Sequence, residues 1–98
     1  MDEPNHKKDE RFLFANKLIY AGQIQTIEDI YKIVPRKIIA QGLGLNVTTF
    51  TNFKSKTPEN FKLSEIIKMS NLLEIKVETL VGIFLNSLNK STPTLPKE

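Results

Sequence analysis

The chain contains no cysteine. Disulfide staples, thiolate nucleophiles and cysteine-ligated zinc are therefore excluded. Histidine occurs once, as His6 in a charged N-terminal stretch, which leaves no cluster of imidazoles to ligate a metal. Neither a metal nor any other cofactor is expected. No apolar run approaches the roughly 18 residues that span a bilayer. The opening residues, Met1 to Glu10, are charged and are not followed by the apolar segment of a secretory signal. The expectation is a cytoplasmic protein with no membrane segment. Gly42 and Gly44 follow no strand and fit no GxGxxG pattern, so a nucleotide-cradling loop is not indicated. Glu28 and Asp29 are neighbours that project apart on a helix, and a charge-favoured helix start explains them better than a catalytic pair. No nucleophile, base and orienting group can be assembled, so the chain does not read as an enzyme, and no small-molecule ligand is evident.

What is present fits one globular domain. There are 98 residues, 40% of them hydrophobic and 26% charged, which is enough for a single core without covalent staples. The net charge of +3 is small, but it is unevenly spread. Residues 31–62 carry Lys32, Arg36, Lys37, Lys54, Lys56 and Lys62 against Glu59 alone, while both flanking thirds are acidic or neutral. A basic middle third is either a solvated face or a surface for an anionic partner.

Hydrophobic spacing predicts helices throughout and no strand. Residues 1–8 read as a disordered tail, 9–90 as one helical domain, and 91–98, with Pro93 and Pro96, as a second disordered tail. Phe12, Leu13, Ala15, Ile19 and Tyr20 form a first stripe stopped by Gly22. Thr26 is the natural N-cap of a second helix carrying Ile27, Ile30, Tyr31 and Val34. Pro35 opens a third helix, for which Gly42 and Gly44 mark the end. Asn46 caps a fourth, Val47 to Lys54, with Phe50 and Phe53 as its inward face. A fifth carries Leu63, Ile66, Ile67, Met69, Leu72 and Leu73. The last carries Val77, Leu80, Val81, Phe84, Leu85 and Leu88. The fold class is all-α, with five or six helices.

The stretch from residue 35 to 54 holds the spacing of a helix-turn-helix. A small residue is needed where two helices cross, and Ala40 supplies it; Gly44, four positions on, supplies the tight turn; Phe50, ten after Ala40, supplies the buried anchor. Val47, Thr48, Thr51 and Asn52 beside that anchor are short or polar. Together with the apolar pattern from Leu63 to Leu80, this resembles the phage-repressor and Cro type of helix-turn-helix, the XRE family, whose domains are lambda-repressor-like. The resemblance covers about half the chain. It differs at Pro35 and Arg36, at Ser55-Lys56 in the turn after the second motif helix, and at the cap positions Lys62 and Lys76.

The resemblance implies a transcriptional regulator that binds double-stranded DNA by inserting helix 47–54 into the major groove. Val47, Thr48 and Asn52 would face the bases: Asn52 suits adenine, and Val47 suits a thymine methyl. Arg36, Lys37, Asn46, Thr49, Lys54 and Lys56 would contact phosphates. About five cationic contacts would give a slope of log affinity against log salt near −4 to −5. Such domains pair on adjacent grooves, and Ile83, Phe84 and Leu88 of the last helix are the expected homodimer surface. The rival reading is a protein-interaction module, antitoxin-like or an adaptor, that keeps the fold without sequence-specific DNA binding. The modest net charge and a recognition helix without arginine or glutamine favour it.

Overall fold

The computed structural model describes residues 9–91, so the two expected tails lie outside the described residues, apart from Ser91, which ends the last helix. Among the described residues the chain is all-helical: α1 (Glu10–Tyr20), α2 (Ile27–Ile33), α3 (Arg36–Leu43), α4 (Val47–Asn52), two single 3-10 turns (Lys54–Lys56 and Pro58–Asn60), α5 (Leu63–Leu73) and α6 (Val77–Ser91). No helix among them is long and apolar enough to cross a membrane.

Local chemistry sets most boundaries. The Asp9 carboxylate accepts from the Arg11 amide (2.9 Å) and starts α1. Thr26 and Asp29 form a reciprocal capping box: the Thr26 hydroxyl accepts from the Asp29 amide (3.3 Å), and the Asp29 carboxylate accepts from the Thr26 amide (3.2 Å). Pro35 has no amide hydrogen to leave unpaired and precedes the first turn of α3. Gly44 takes the left-handed conformation (φ 74°) that closes α3, and the Leu45 amide then donates to the Ala40 carbonyl (2.9 Å). Glu74 adopts the same conformation after α5 (φ 58°), unusual for a residue with a Cβ. The Asn16 side-chain amide donates to the Leu73 and Glu74 carbonyls (2.9 and 3.0 Å), fixing this turn to α1.

Gly42 does not end α3; it lies inside the helix. A Cβ built there would come within 2.7 Å of the Leu72 Cδ1 methyl, so Gly42 is where α3 passes close to α5. Alanine at this position gains about 1 kcal/mol of helix propensity but meets that methyl. We therefore expect Gly42→Ala to stabilise the domain by about 1 kcal/mol more in a Leu72→Ala background than in the natural sequence. Equal effects in both backgrounds, measured by urea unfolding, would contradict the close approach.

The core runs through all six helices, with Ala15, Ile27, Ile30, Val34, Ile39, Ala40, Met69, Leu73 and Leu80 fully buried. A chain of edge-to-face aromatic contacts crosses it: Tyr31 to Phe50 (6.2 Å between centroids), Phe50 to Phe61 (5.9 Å) and Phe61 to Phe84 (4.9 Å). Ser87 is buried and accepts from the Ile27 amide (2.7 Å), joining α6 to the start of α2.

Several expected core positions face outward instead. Leu13 and Tyr20 are exposed on α1, Leu63 and Ile67 on α5, and Leu85 on α6. The reverse holds for the expected dimer surface. Ile83 and Phe84 are buried and Leu88 is half-buried, because α6 packs against α2, α5 and the second 3-10 turn and so buries a wide arc. Ile83 and Phe84 belong to the interior of this chain, and Leu88 lies at its edge.

Candidate nucleic-acid interface

Helix α4 owes its shape to what surrounds it. Three threonines in six residues give weak intrinsic helicity, and a helix this short is unstable alone. Two contacts hold its start and its inner face. Asn46 caps its start, the side-chain oxygen accepting from the Thr49 amide (2.8 Å). Phe50, 1% exposed, anchors its inner face between Tyr31 and Phe61. The Asn46 oxygen is thereby committed to the cap, which leaves its amide nitrogen as the donor.

The residues expected to face bases divide. Thr48 and Asn52 are exposed, whereas Val47 is half-buried and packs against the core. The helix stops at Asn52, two residues before its expected end. Phe53 leaves helical geometry (φ −127°, ψ −64°) and is 67% exposed, so it is not part of the inward face assigned to it. Its side chain no longer keeps the angular phase of Phe50.

The residues expected on phosphates divide further. Lys37, Asn46, Thr49 and Lys56 are exposed. Asn46, Thr49 and Lys54 meet with Leu45 and Phe50 around a cleft of about 260 Å³ beside α4. Lys54, however, points its ammonium at Glu65. Its Nζ lies 2.7 Å from Glu65 Oε1, donates to the Asn60 carbonyl (3.2 Å), and sits 5.6 Å from the Phe61 ring centroid. The same carboxylate oxygen accepts from the Lys62 amide (2.8 Å), starting α5, a task the lysine side chain has no acceptor to perform. Burial alone would raise the Glu65 carboxyl, but the hydrogen bonds from Lys54 and Lys62 hold it below its ordinary value. Lys54 is thus a structural partner of Glu65.

Arg36 is half-buried and turned inward in part. Its guanidinium lies over the Tyr31 ring (4.5 Å to the centroid), and its Nε donates to the buried Ser55 hydroxyl (3.0 Å). Ser55 in turn donates to the Thr51 carbonyl (3.0 Å) on α4. Burial raises the Tyr31 phenol well above its ordinary range. Sequence alone did not single out Tyr31, Ser55 or Glu65 as part of this region. The available signal was the departure from the resemblance at Ser55-Lys56.

The exposed polar set is therefore Thr48, Thr49 and Asn52 on α4, with Asn46 before it, Lys37 in the first turn of α3 and Lys56 after α4. The first turn of α3 carries Arg36 and Lys37 but no acidic residue and no side-chain cap. Two cations at the positive end of a helix dipole are unfavourable unless an anion joins them. Comparison with protein-family models, with curated proteins and with solved structures found no match.

Proposed function

We propose that this chain is a DNA-binding domain of the lambda-repressor-like helix-turn-helix class, a transcriptional regulator that lays α4 in the major groove. The observation that carries the reading is the short polar face of α4, with Thr48 and Asn52 exposed, next to an uncapped helix start bearing Arg36 and Lys37. The three-residue connection through left-handed Gly44 and the buried pair Ala40 and Phe50 support it as the packing a helix-turn-helix needs. Asn52 would read adenine and Thr48 a base edge or methyl, while Lys37, Lys56 and the outer guanidinium nitrogens of Arg36 would meet phosphates.

With Lys54 paired to Glu65, the named cations left for phosphate are Arg36, Lys37 and Lys56, and three such contacts set the expected salt slope at about −3. A fluorescence titration of labelled random-sequence duplex at several salt concentrations measures it. We expect Lys37→Glu and Lys56→Glu each to weaken binding to every duplex and to lower the slope by about 1. Asn52→Ala should instead flatten the preference at one base pair, by about 1–3 kcal/mol. A salt-independent affinity would contradict this reading.

Exposed Phe53 beside α4, and the withdrawal of Lys54 into an ion pair, favour a second reading: a protein-interaction module built on the same helices. Its outcome in the same titration is no binding to any duplex.

A further inference from the structure

We infer that Arg36 is the positioning residue that fixes how α4 leaves the domain, and that it acts through Ser55 and Tyr31. The functional part of this inference rests on the DNA-binding reading; the structural part does not. One guanidinium reaches α4 by two routes. Along the first, Arg36 Nε donates to Ser55 Oγ (3.0 Å), which donates to the Thr51 carbonyl (3.0 Å), one residue before the exposed Asn52. Along the second, the guanidinium covers the Tyr31 ring at 4.5 Å, and that ring packs edge-to-face on Phe50, the anchor of α4, at 6.2 Å.

The energetics make this contact more than incidental. Ser55 is 1% exposed, so its hydroxyl has no water to fall back on and needs both a donor and an acceptor from the protein. Arg36 supplies the donor and Thr51 the acceptor. Lysine keeps the charge of Arg36 but lacks the planar face that stacks on Tyr31 and the Nε that reaches Ser55. The helix being held is six residues long with three threonines, so it has little rigidity of its own. Its outward residues, Thr48 and Asn52, inherit their direction from this attachment.

The two possible roles of Arg36 separate experimentally. A residue that only touched phosphate would tolerate lysine, would ignore Ser55, and would lower the salt slope when neutralised. A positioning residue behaves otherwise. In the titration above, performed well below the melting temperature, we expect Arg36→Lys and Ser55→Ala each to weaken binding about tenfold with the salt slope unchanged. The double variant should be no weaker than the worse single one, because both break one path. Hydrogen exchange supplies a readout free of DNA. The amides of Lys56 and Thr57, which donate to the Phe53 and Lys54 carbonyls, should exchange faster in both variants while those within α1 and α6 do not change. Full affinity in Ser55→Ala, or unaltered exchange at residues 56–57, would overturn the inference. If the natural sequence binds no duplex but the exchange pattern appears, the attachment stands and the DNA reading falls.

Discussion

Phe50→Ala should cost about 3–5 kcal/mol of stability, and Phe53→Ala should cost less than about 0.5 kcal/mol. The two phenylalanines are three residues apart, and periodicity treats them alike. Their surroundings do not. Phe50 is 1% exposed and meets Tyr31 and Phe61 edge-to-face, so removing its ring leaves a cavity lined by side chains that cannot all collapse inward. Phe53 stands 67% in solvent. For a domain of this length the total stability is about 5–15 kcal/mol, so the first substitution takes a large share of it. The melting temperature followed by circular dichroism should fall by roughly 15–30 °C, against a few degrees at most for Phe53→Ala. Similar melting of the two variants would mean that α4 is not held from below.

The same substitution bears on the site. With Phe50 gone, a six-residue helix rich in threonine keeps the Asn46 cap, the Ser55 bond to the Thr51 carbonyl and the partial burial of Val47, none of which replaces a buried ring. One cap contributes about 1 kcal/mol. Loss of DNA binding in Phe50→Ala below its melting temperature would therefore follow from disorder of α4, with no change in any groove-facing side chain.

Much of the architecture was legible because it is written in local chemistry. The Thr26 and Asn46 caps, the left-handed Gly44, the helix start at Pro35 and the buried Ala40 and Phe50 each depend on residues a few positions apart. What could not be read depends on partners far along the chain. Gly42 looks like a terminator until Leu72, thirty residues later, is seen against it. Ile83 and Phe84 look surplus to one face until three neighbours are found around α6. Lys54 reads as a phosphate contact because its partner in the fold, Glu65, stands eleven residues away across two 3-10 turns that no hydrophobic period announces. Arg36 was placed correctly at a helix start, but a sequence does not show that Tyr31 and Ser55 flank it. Within the candidate region, then, the resemblance named Thr48, Asn52, Lys37 and Lys56, which are exposed, and neither it nor the spacing named the residues packed beneath them.

Glu65→Gln should leave a folded domain that is about 1–3 kcal/mol less stable at neutral pH and less sensitive to acid. Glu65 keeps 11% and Lys54 21% of their side-chain surface exposed, so the pair is shielded but not dry, which argues against the larger cost of a fully buried pair. The sign of the pH effect follows from the direction of the shift. The folded-state carboxyl lies below its ordinary value of 4.5, so the stabilisation is fully present above that value and is lost as pH falls through the lower, folded one. Asp9 and Asp29 are lowered as well and add to the acid slope. Asp29 is lowered chiefly by the Gln25 amide and contributes alike in the natural sequence and in Glu65→Gln, whereas Asp9 can be separated from Glu65 by salt. The Asp9–Arg11 pair is more open to solvent than the Lys54–Glu65 pair, and at 1 M salt, where screening acts over about 3 Å, its share should fade more. The Glu65 share should persist. Urea unfolding at pH 3–7 in low and high salt, for the natural sequence and Glu65→Gln, tests this; parallel pH profiles in the two proteins would show that Glu65 contributes nothing. The substitution also releases Lys54 from its carboxylate. If α4 meets DNA as proposed, the less stable variant should show a salt slope steeper by about 1, because one more cation becomes available to phosphate. Stability and electrostatic reach would then move in opposite directions, as they should if Lys54 serves the fold before it serves a ligand.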